Sequence, residues 1–456
     1  MIFRPQNSQI FLGAVFAISI IQPIQADTLK EALGIAYEDN PTLLAKRAEL
    51  RATNEGVSQA ISQWRPSLTA SGSSGKSETT SSTRTESKLH FNPHSASLTL
   101  SQSIYSGGKT MAAIGSAENA VLAGRAELRG VEQKVLLDAV KAYMNVYRSS
   151  AVLELRINNE AVLKRQLEAT SDRFEVGEIT RTDVNQAEAR LAKTTADRIQ
   201  AEGDLVSSRA TYQNVIGKVP VNLSSPTMEF DLPSSSQEAI RLALAQNPDV
   251  VSAEFNQRAS ENSIDTVKSE LLPSLDLTGT ASRSLNASGL KTSLDTLSAK
   301  LTLSMPLYSS GSVYSRLRSA RQTASKRMKE IDTARRKAIE AATRAWQTLQ
   351  TSRARIESIN VQIRASEVAL EGVQREASVG SRTVLDVLDA EQELLDAKVS
   401  IVTAKRDETI ARFELKSAVG ELTANKLALP VVAYNSLEHY DNVRFKPFGG
   451  SIQKTQ

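Results

Sequence analysis

Two acidic residues of a predicted helix, Asp386 and Asp389, are the side chains of this sequence that are best spaced to act together. They stand three positions apart, and residues with this spacing lie on one face of a helix. Two carboxylates on one face can attract a cation together. The simpler interpretation is that both are solvated acids on a charged helix.

Residue types that catalyse reactions or bind metals are scarce. The chain contains no cysteine, and its only histidines are His90, His94 and His439. His90 and His94 flank Pro93 beside a polar stretch that offers no converging acid, so a metal site is not expected there. The sequence also lacks a Gly-x-Ser-x-Gly nucleophile elbow and a phosphate-cradling Walker-type loop. These observations predict a protein that is not an enzyme and needs no cofactor.

Charge and the N-terminus indicate the compartment. The formal net charge is +4, and acidic and basic residues are interspersed, so nucleic acid is not an expected partner. Arg4 precedes an apolar run over residues 10–21, which Ile24-Gln25-Ala26 follows with residues suited to a cleavage site. The run is too short to span a bilayer, which needs about 20 apolar residues. We therefore expect an export signal over residues 1–26 and a mature chain from Asp27.

The elements that position Asp386 and Asp389 occur twice, which predicts a tandem internal duplication. Pro66-Ser67-Leu68 recurs 207 positions later as Pro273-Ser274-Leu275, and later motifs recur at an offset of 203. The later matches pair Gly177 with Gly380, Thr180 with Thr383, Asp183 with Asp386, and Gln186 with Asp389. The sequence thus predicts a first repeat over residues 27–220 and a second over 221–422. The tail over residues 423–456 has no repeat partner and is expected to be loosely ordered and peripheral.

Each repeat has the same predicted order of elements. A helix ends at a proline, two strands follow with a polar loop between them, and a long helix then leads through a glycine turn to a return helix. The predicted first helices cover 29–62 and 237–269, the polar loops 77–88 and 284–295, and the long helices 131–176 and 312–371. The last of these extends for about 90 Å. Helices of such length predict a coiled coil or the wall of a tube.

The predicted strands require several chains. Four strands per chain cannot close a barrel, and open sheet edges are not tolerated in lipid. Two chains would supply eight strands with a filled interior, and three would supply twelve with room for a lumen. The pattern itself leaves both possibilities open.

The segment from Val379 to Glu391 (VGSRTVLDVLDAE) resembles the signature turn and helix of TolC-type outer-membrane efflux and secretion channels. The duplication, the proline-led strands, and the strand ends Tyr105-Ser106-Gly107 and Tyr308-Ser309-Ser310-Gly311 resemble that family as well. The similarity covers residues 27–422. It implies an α+β membrane protein, a homotrimer whose twelve-stranded β-barrel takes four strands from each chain. A long α-helical coiled-coil tunnel would continue from the barrel into the periplasm.

The resemblance also implies a function. The chain would be the outer-membrane channel subunit of a tripartite efflux pump or a type I secretion system in a Gram-negative bacterium. Its partners would be a periplasmic adaptor (membrane fusion) protein, an inner-membrane transporter of the RND or ABC type, and outer-membrane lipid. The cargo, drugs or a secreted protein, stays open. The alternative, a periplasmic coiled-coil adaptor or scaffold, does not account for two pairs of alternating strands.

The resemblance also implies roles for individual residues that match the family's motif. Asp386 and Asp389 match the acidic ring of the periplasmic aperture, and Arg382 matches a gate arginine that links to Thr182 and Asp183 of the other hairpin. Ala377 stands where the family can carry a tyrosine, so a gate link from Asp183 to that position is not expected, whereas one centred on Arg382 is. The adaptor-docking turns would be Val176, Gly177 and Glu178 in the first repeat and Val379, Gly380 and Ser381 in the second.

Overall fold

A computed structural model of the chain describes residues 28–81, 87–226, 228–287 and 292–451. The predicted export signal and Asp27 lie outside these residues. The first half contains α1 (Leu29–Asp39), α2 (Pro41–Ser62), β1 (Ser67–Ser74), β2 (Ser77–Ser81), β3 (Ser87–Phe91), β4 (His94–Ser106), α3 (Lys109–Glu175) and α4 (Arg181–Ile216). The second half contains α5 (Ser236–Gln246), α6 (Pro248–Ser269), β5 (Ser274–Leu285), β6 (Ser293–Ser304), α7 (Ser312–Ser378), α8 (Val384–Ala418) and α9 (Glu438–Val443).

The first helix of each half, predicted as a single element, is two helices that meet at an Asn-Pro pair. Asn40 caps α2 by accepting a hydrogen bond from the Thr42 N–H at 3.0 Å, and proline at the first helical position has no N–H to leave unsatisfied. The Asn40 amide also donates to the Val215 carbonyl at 2.9 Å. Asn247 does the same with the Ala418 carbonyl at 3.2 Å. Both asparagines therefore anchor the end of a return helix to the break between two short helices.

The two long helices, α3 and α7, contain 67 residues each, which gives rods of about 100 Å. The prediction of long helices is confirmed, but α3 begins well before residue 131. The glycines before residue 131 suggested that the helix begins after them, but they lie inside α3, and packing explains why the helix tolerates them. A Cβ atom at Gly115 would lie 3.1 Å from the Asn262 side chain, and one at Gly124 would lie 3.2 Å from Leu50. These glycines let α6 and α2 approach α3 closely. Within the described residues, no helix combines the length and apolarity needed to cross a membrane.

The four long strands form one antiparallel sheet in the order β1-β4-β5-β6. The polar segments between the predicted strands are partly strand themselves. β2 and β3 pair as a separate hairpin, and β5 and β6 extend to Leu285 and Ser293. Arg283 of β5 holds the extension by binding Asp295 of β6 through two hydrogen bonds. Between β1 and β4, the Ser71 and Ser97 hydroxyls lie 2.7 Å apart.

The main hydrophobic core lies where α1, α2, α3, α4 and α8 meet, around the fully buried Tyr143, Tyr212 and Phe413. The corresponding core of the second half is built mainly from alanines of α5 and α7, such as Ala239 and Ala342. Small side chains allow these helices to pack closely. The two halves thus share an order of elements but differ in the size of their core residues.

The C-terminal segment differs from the expectation of a loosely ordered, peripheral tail. Over residues 423–451 it packs against the first half, with Leu427 and Leu429 buried in the main core. The Tyr434 N–H donates to the Tyr37 hydroxyl at 2.9 Å, and Arg444 pairs with Glu118 at 2.7 Å. Its glycines and prolines suggested disorder, but several apolar residues between them are buried in the folded chain.

Candidate functional site

The two hairpins formed by the long and return helices end in turns of the same construction. In the first, the Gly177 N–H donates to the Phe174 carbonyl and the Glu178 N–H donates to the Arg173 carbonyl, both at 2.9 Å. This is the Schellman pattern, which requires a left-handed residue after the helix. Gly177 supplies it with φ of 80°. The predicted glycine turn therefore has a defined hydrogen-bonded geometry.

The second turn repeats this pattern with different side chains. The Gly380 N–H donates to the Ala377 carbonyl at 3.1 Å, and the Ser381 N–H donates to the Glu376 carbonyl at 2.9 Å. The valine before each glycine is largely exposed: Val176 by 72% and Val379 by 77%. Each tip thus presents an apolar side chain on a rigid, exposed turn.

A reciprocal capping box begins each return helix. The Asp386 carboxylate accepts hydrogen bonds from the Thr383 N–H at 2.9 Å and the Thr383 hydroxyl at 2.8 Å, and the Asp386 N–H donates back to that hydroxyl. Thr180 and Asp183 form the same box in the first hairpin. These bonds, together with the nearby Arg382 in the second hairpin, lower the pKa of both aspartates within the single chain. The Thr-x-x-Asp spacing was the available sequence signal for this role.

Asp389 has a different partner. Its carboxylate forms an ion pair with the Arg190 guanidinium of α4, so the contact joins the two hairpins of the chain. Asp389 is exposed, whereas the Arg190 side chain is 20% exposed. Asp386 and Asp389 therefore lie one turn apart on α8 with separate partners. Sequence reasoning did not identify Arg190, because nothing local marks an arginine in mid-helix as a partner of a residue 199 positions away.

Arg382 pairs within its own turn. Its Nε donates to the Glu376 carboxylate at 2.8 Å, and this contact raises the pKa of the guanidinium. The described part of the chain contains no hydrogen bond or ion pair from Arg382 to Thr182 or Asp183, the residues predicted as its gate partners. Thr182 is exposed, and the Asp183 carboxylate is held by Thr180.

The first hairpin carries an equivalent ion pair with its charges reversed. Arg173 binds Glu178 across the turn at 3.0 Å, where the second hairpin has Glu376 and Arg382. Each turn is thus closed by one ion pair. In the first turn the basic residue comes before the acidic one along the chain, and in the second turn the acidic residue comes first.

An apolar cluster packs the hairpins together close to the turns. It consists of Leu163 from α3, Ala187 from α4, and Val384 and Leu388 from α8. Farther along α8, Glu391 bonds to Gln374 of α7, and burial raises the pKa of its carboxyl. Its Oε2 atom is buried without a hydrogen-bond partner. In the described ranges, no group of three or more His, Cys, Asp or Glu residues is arranged to hold a metal ion.

Known proteins resemble this chain along most of its length. The family "Outer membrane efflux protein" matches twice, over residues 32–218 and 239–421. The chain is 33% identical to the outer membrane efflux protein BepC of Brucella suis, across 94% of this chain and 93% of BepC. It is 26% identical to the outer membrane protein TolC of Vibrio cholerae, across 91% of this chain and 95% of that protein.

The fold has solved counterparts as well. The crystal structure of the Campylobacter jejuni CmeC outer membrane channel superimposes with a TM-score of 0.78 at 16% identity and covers 97% of both chains. These similarities confirm the predicted family resemblance, the channel fold with its helical hairpins, and the location in the outer membrane. The chain belongs to the outer membrane efflux protein family, the family of TolC-type channels.

Proposed function

We propose that three copies of this chain form one passive export conduit through the outer membrane. The observation that carries the proposal is the four-stranded sheet β1-β4-β5-β6, whose outer strands β1 and β6 each have an edge without a partner in the described chain. Exposed edges of this kind pair with further strands. Side chains such as Leu297, Leu301 and Leu303 of β6 are largely exposed and suit a lipid-facing surface. Three copies would supply twelve strands.

The two-fold match to the family supports a tandem duplication. Each half contains two short helices, two strands of the main sheet, a long helix and a return helix, and the family matches once in each half. The first half has the β2–β3 pair in addition. We assign the first repeat to residues 27–220 and the second to 221–422. The segment over residues 423–451 lies outside the repeats and packs on the first of them.

The tips of the hairpins would form the periplasmic aperture. Three copies would bring six carboxylates from Asp386 and Asp389 around it. Arg190 would neutralise part of this charge in the closed state. Arg382 would reach Thr182 and Asp183 of a neighbouring chain only after it leaves Glu376, which makes its ion pair within the turn a competitor of the gate link.

The exposed turns would be the docking points for a periplasmic adaptor, through Val176, Gly177 and Glu178 and through Val379, Gly380 and Ser381. The adaptor would connect the channel to an inner-membrane transporter of the RND or ABC type. That transporter would supply the energy, so the channel needs no cofactor and no catalytic activity of its own. BepC is named an efflux protein, which favours export of small toxic compounds over secretion of a protein.

Photo-crosslinking in the cell tests this assignment. A photoreactive residue at Thr180 or Ser381 is expected to trap an adaptor, and one at the exposed Ser358, in the middle of α7, serves as the control. Failure of both tips to trap an adaptor at normal expression would contradict docking there.

The oligomer and the cargo need separate measurements. Crosslinked protein from the membrane is expected to run as a trimer, and the purified protein is expected to form pores in a planar bilayer. A dimer would contradict the conduit of three chains.

Deleting the gene should increase drug accumulation in the cell. Loss of a secreted protein with unchanged drug accumulation would assign the channel to secretion instead.

A further inference from the structure

A cavity of about 370 Å³ lies between α2, α3 and the C-terminal segment, far along the chain from the hairpin turns. Three arginines line it: Arg47 from α2, and Arg125 and Arg129 from α3. Their positions and partners indicate that the cavity carries more positive than negative charge.

Arg47 is the most buried of the three, with 8% of its surface exposed. Its guanidinium carbon lies 4.5 Å from the ring centre of Tyr37 and 5.1 Å from that of Tyr434. One nitrogen, Nη2, donates to the Tyr37 carbonyl at 3.0 Å, but Nε is buried without a hydrogen-bond partner. Arginine is rarely buried to this degree without an anion, because an uncompensated charge is costly to remove from water.

Arg125 and Arg129 stand one turn apart on the same face of α3. The Nε of Arg125 is also buried without a partner, and its guanidinium carbon lies 5.2 Å from the Tyr440 ring centre. Arg129 is more exposed and donates to the Gly420 carbonyl at 3.4 Å. Across residues 28–81, 87–226, 228–287 and 292–451, none of these three arginines has a carboxylate within ion-pair distance.

One acid, Glu132, stands among the described residues that line the cavity. Its carboxylate accepts a hydrogen bond from the Ala424 N–H at 2.8 Å. Burial raises the pKa of this carboxyl, while the Ala424 hydrogen bond and the charges of Arg47 and Arg129 act in the opposite direction. Lys426 lines the cavity too, but it pairs with Glu421. The lining therefore carries an excess of positive charge that Glu132 does not balance.

We propose that this cavity binds an oxyanion, the phosphate or carboxylate group of a small soluble molecule, through Arg47, Arg125 and Arg129. Guanidinium groups bind both kinds of anion through charged hydrogen bonds, often two at a time. Thr423, Asn425 and Ser436 add neutral polar groups to the lining. Because these three belong to the C-terminal segment, a bound anion would fasten that segment to the first repeat.

Calorimetric titration of the purified, assembled protein tests the proposal, with inorganic phosphate and citrate as separate probes in chloride buffer of constant ionic strength. We expect saturable binding of at least one probe and a higher melting temperature in its presence. Binding of phosphate alone would assign a phosphate-bearing ligand, and binding of citrate alone would assign a carboxylate. Saturable binding of neither probe would overturn the proposal.

Two variants locate the site. Arg129→Gln removes a partly exposed charge, so the protein should fold, and it is expected to weaken binding about tenfold or more. Arg47→Gln should have the same effect if it folds. Arg344→Gln, an exposed arginine in the middle of α7, makes the same change of charge away from the cavity and should leave affinity unchanged. Equal affinity in Arg129→Gln and the unaltered protein would also overturn the proposal.

Discussion

The guanidinium of Arg190 in α4 is paired with the carboxylate of Asp389 in α8, so an ion pair joins the two helical hairpins of one chain near their tips. The neighbouring acid, Asp386, instead accepts hydrogen bonds from Thr383 at the start of its own helix. Two acids that look equivalent in the sequence thus have different tasks. One caps a helix, and the other holds two hairpins together.

Breaking the pair between the hairpins should favour an open aperture. Arg190→Gln removes an interaction that is worth at most about 1 kcal/mol, because Asp389 is exposed, so the open-to-closed ratio should rise by up to about fivefold for each chain. Single-channel recording in a planar bilayer measures this ratio. Arg344→Gln is the matched control. An unchanged open-to-closed ratio in Arg190→Gln would show that the pair does not hold the aperture closed.

The acids themselves should determine how multivalent cations block the pore. Asp389→Asn removes a carboxylate without disturbing the capping box and is expected to weaken the block of channel current. Arg190→Gln leaves Asp389 unpaired and is expected to strengthen it. Current recorded at increasing cation concentration distinguishes the two variants. Equal block in both would contradict an acidic ring that contains Asp389.

Loss of the capping hydroxyl should loosen the start of the second return helix. Thr383→Ala removes the acceptor for the Asp386 N–H and should cost about 1 kcal/mol of local stability. Hydrogen exchange of residues 384–388 should become faster. Thr182→Ala is the matched control, since Thr182 lies at the start of the other return helix but is not its cap. Similar exchange in both variants would contradict the capping role.

The glycine of the second turn should resist substitution. Gly380→Ala forces a side chain onto a residue with φ of 80°, which should cost about 1–2 kcal/mol. Gly372 lies in the helix just before the turn, and a Cβ atom added there would have no neighbouring atom within 4 Å. Gly372→Ala should therefore stabilise α7 by about 1 kcal/mol. Thermal unfolding of both variants measures the difference. Destabilisation by Gly372→Ala as well would point to a cause other than the turn.

The partly buried Glu391 should make stability depend on pH. Burial raises its pKa in the folded protein, so the stability that its protonated form provides is present at low pH and is lost as the pH rises through the raised pKa. Glu391→Gln should therefore stabilise the protein at neutral pH and have little effect near pH 4. Glu188→Gln, at the exposed equivalent position of the first repeat, is the control for unfolding measured across this range. An equal effect of Glu391→Gln at both pH values would contradict the prediction.

The sequence by itself determined the order of elements in each half, the long helices, the glycine turns and the family. These features depend on local patterns: prolines that stop helices, long segments without glycine or proline, and a glycine that allows a left-handed turn. Even here, α3 begins earlier than predicted, at Lys109, because Gly115 and Gly124 are packed closely against α6 and α2. Helix boundaries of this kind depend on neighbours that a local pattern does not contain.

Only the tertiary structure decided which charged residues meet. Arg190 and Asp389 stand 199 positions apart, and Arg47 and Tyr434 stand farther apart still. No period or motif connects such residues, because their contact depends on how separate helices pack. The buried C-terminal segment follows the same principle, because its few apolar side chains become part of a core only when they pack against the helices of the first half.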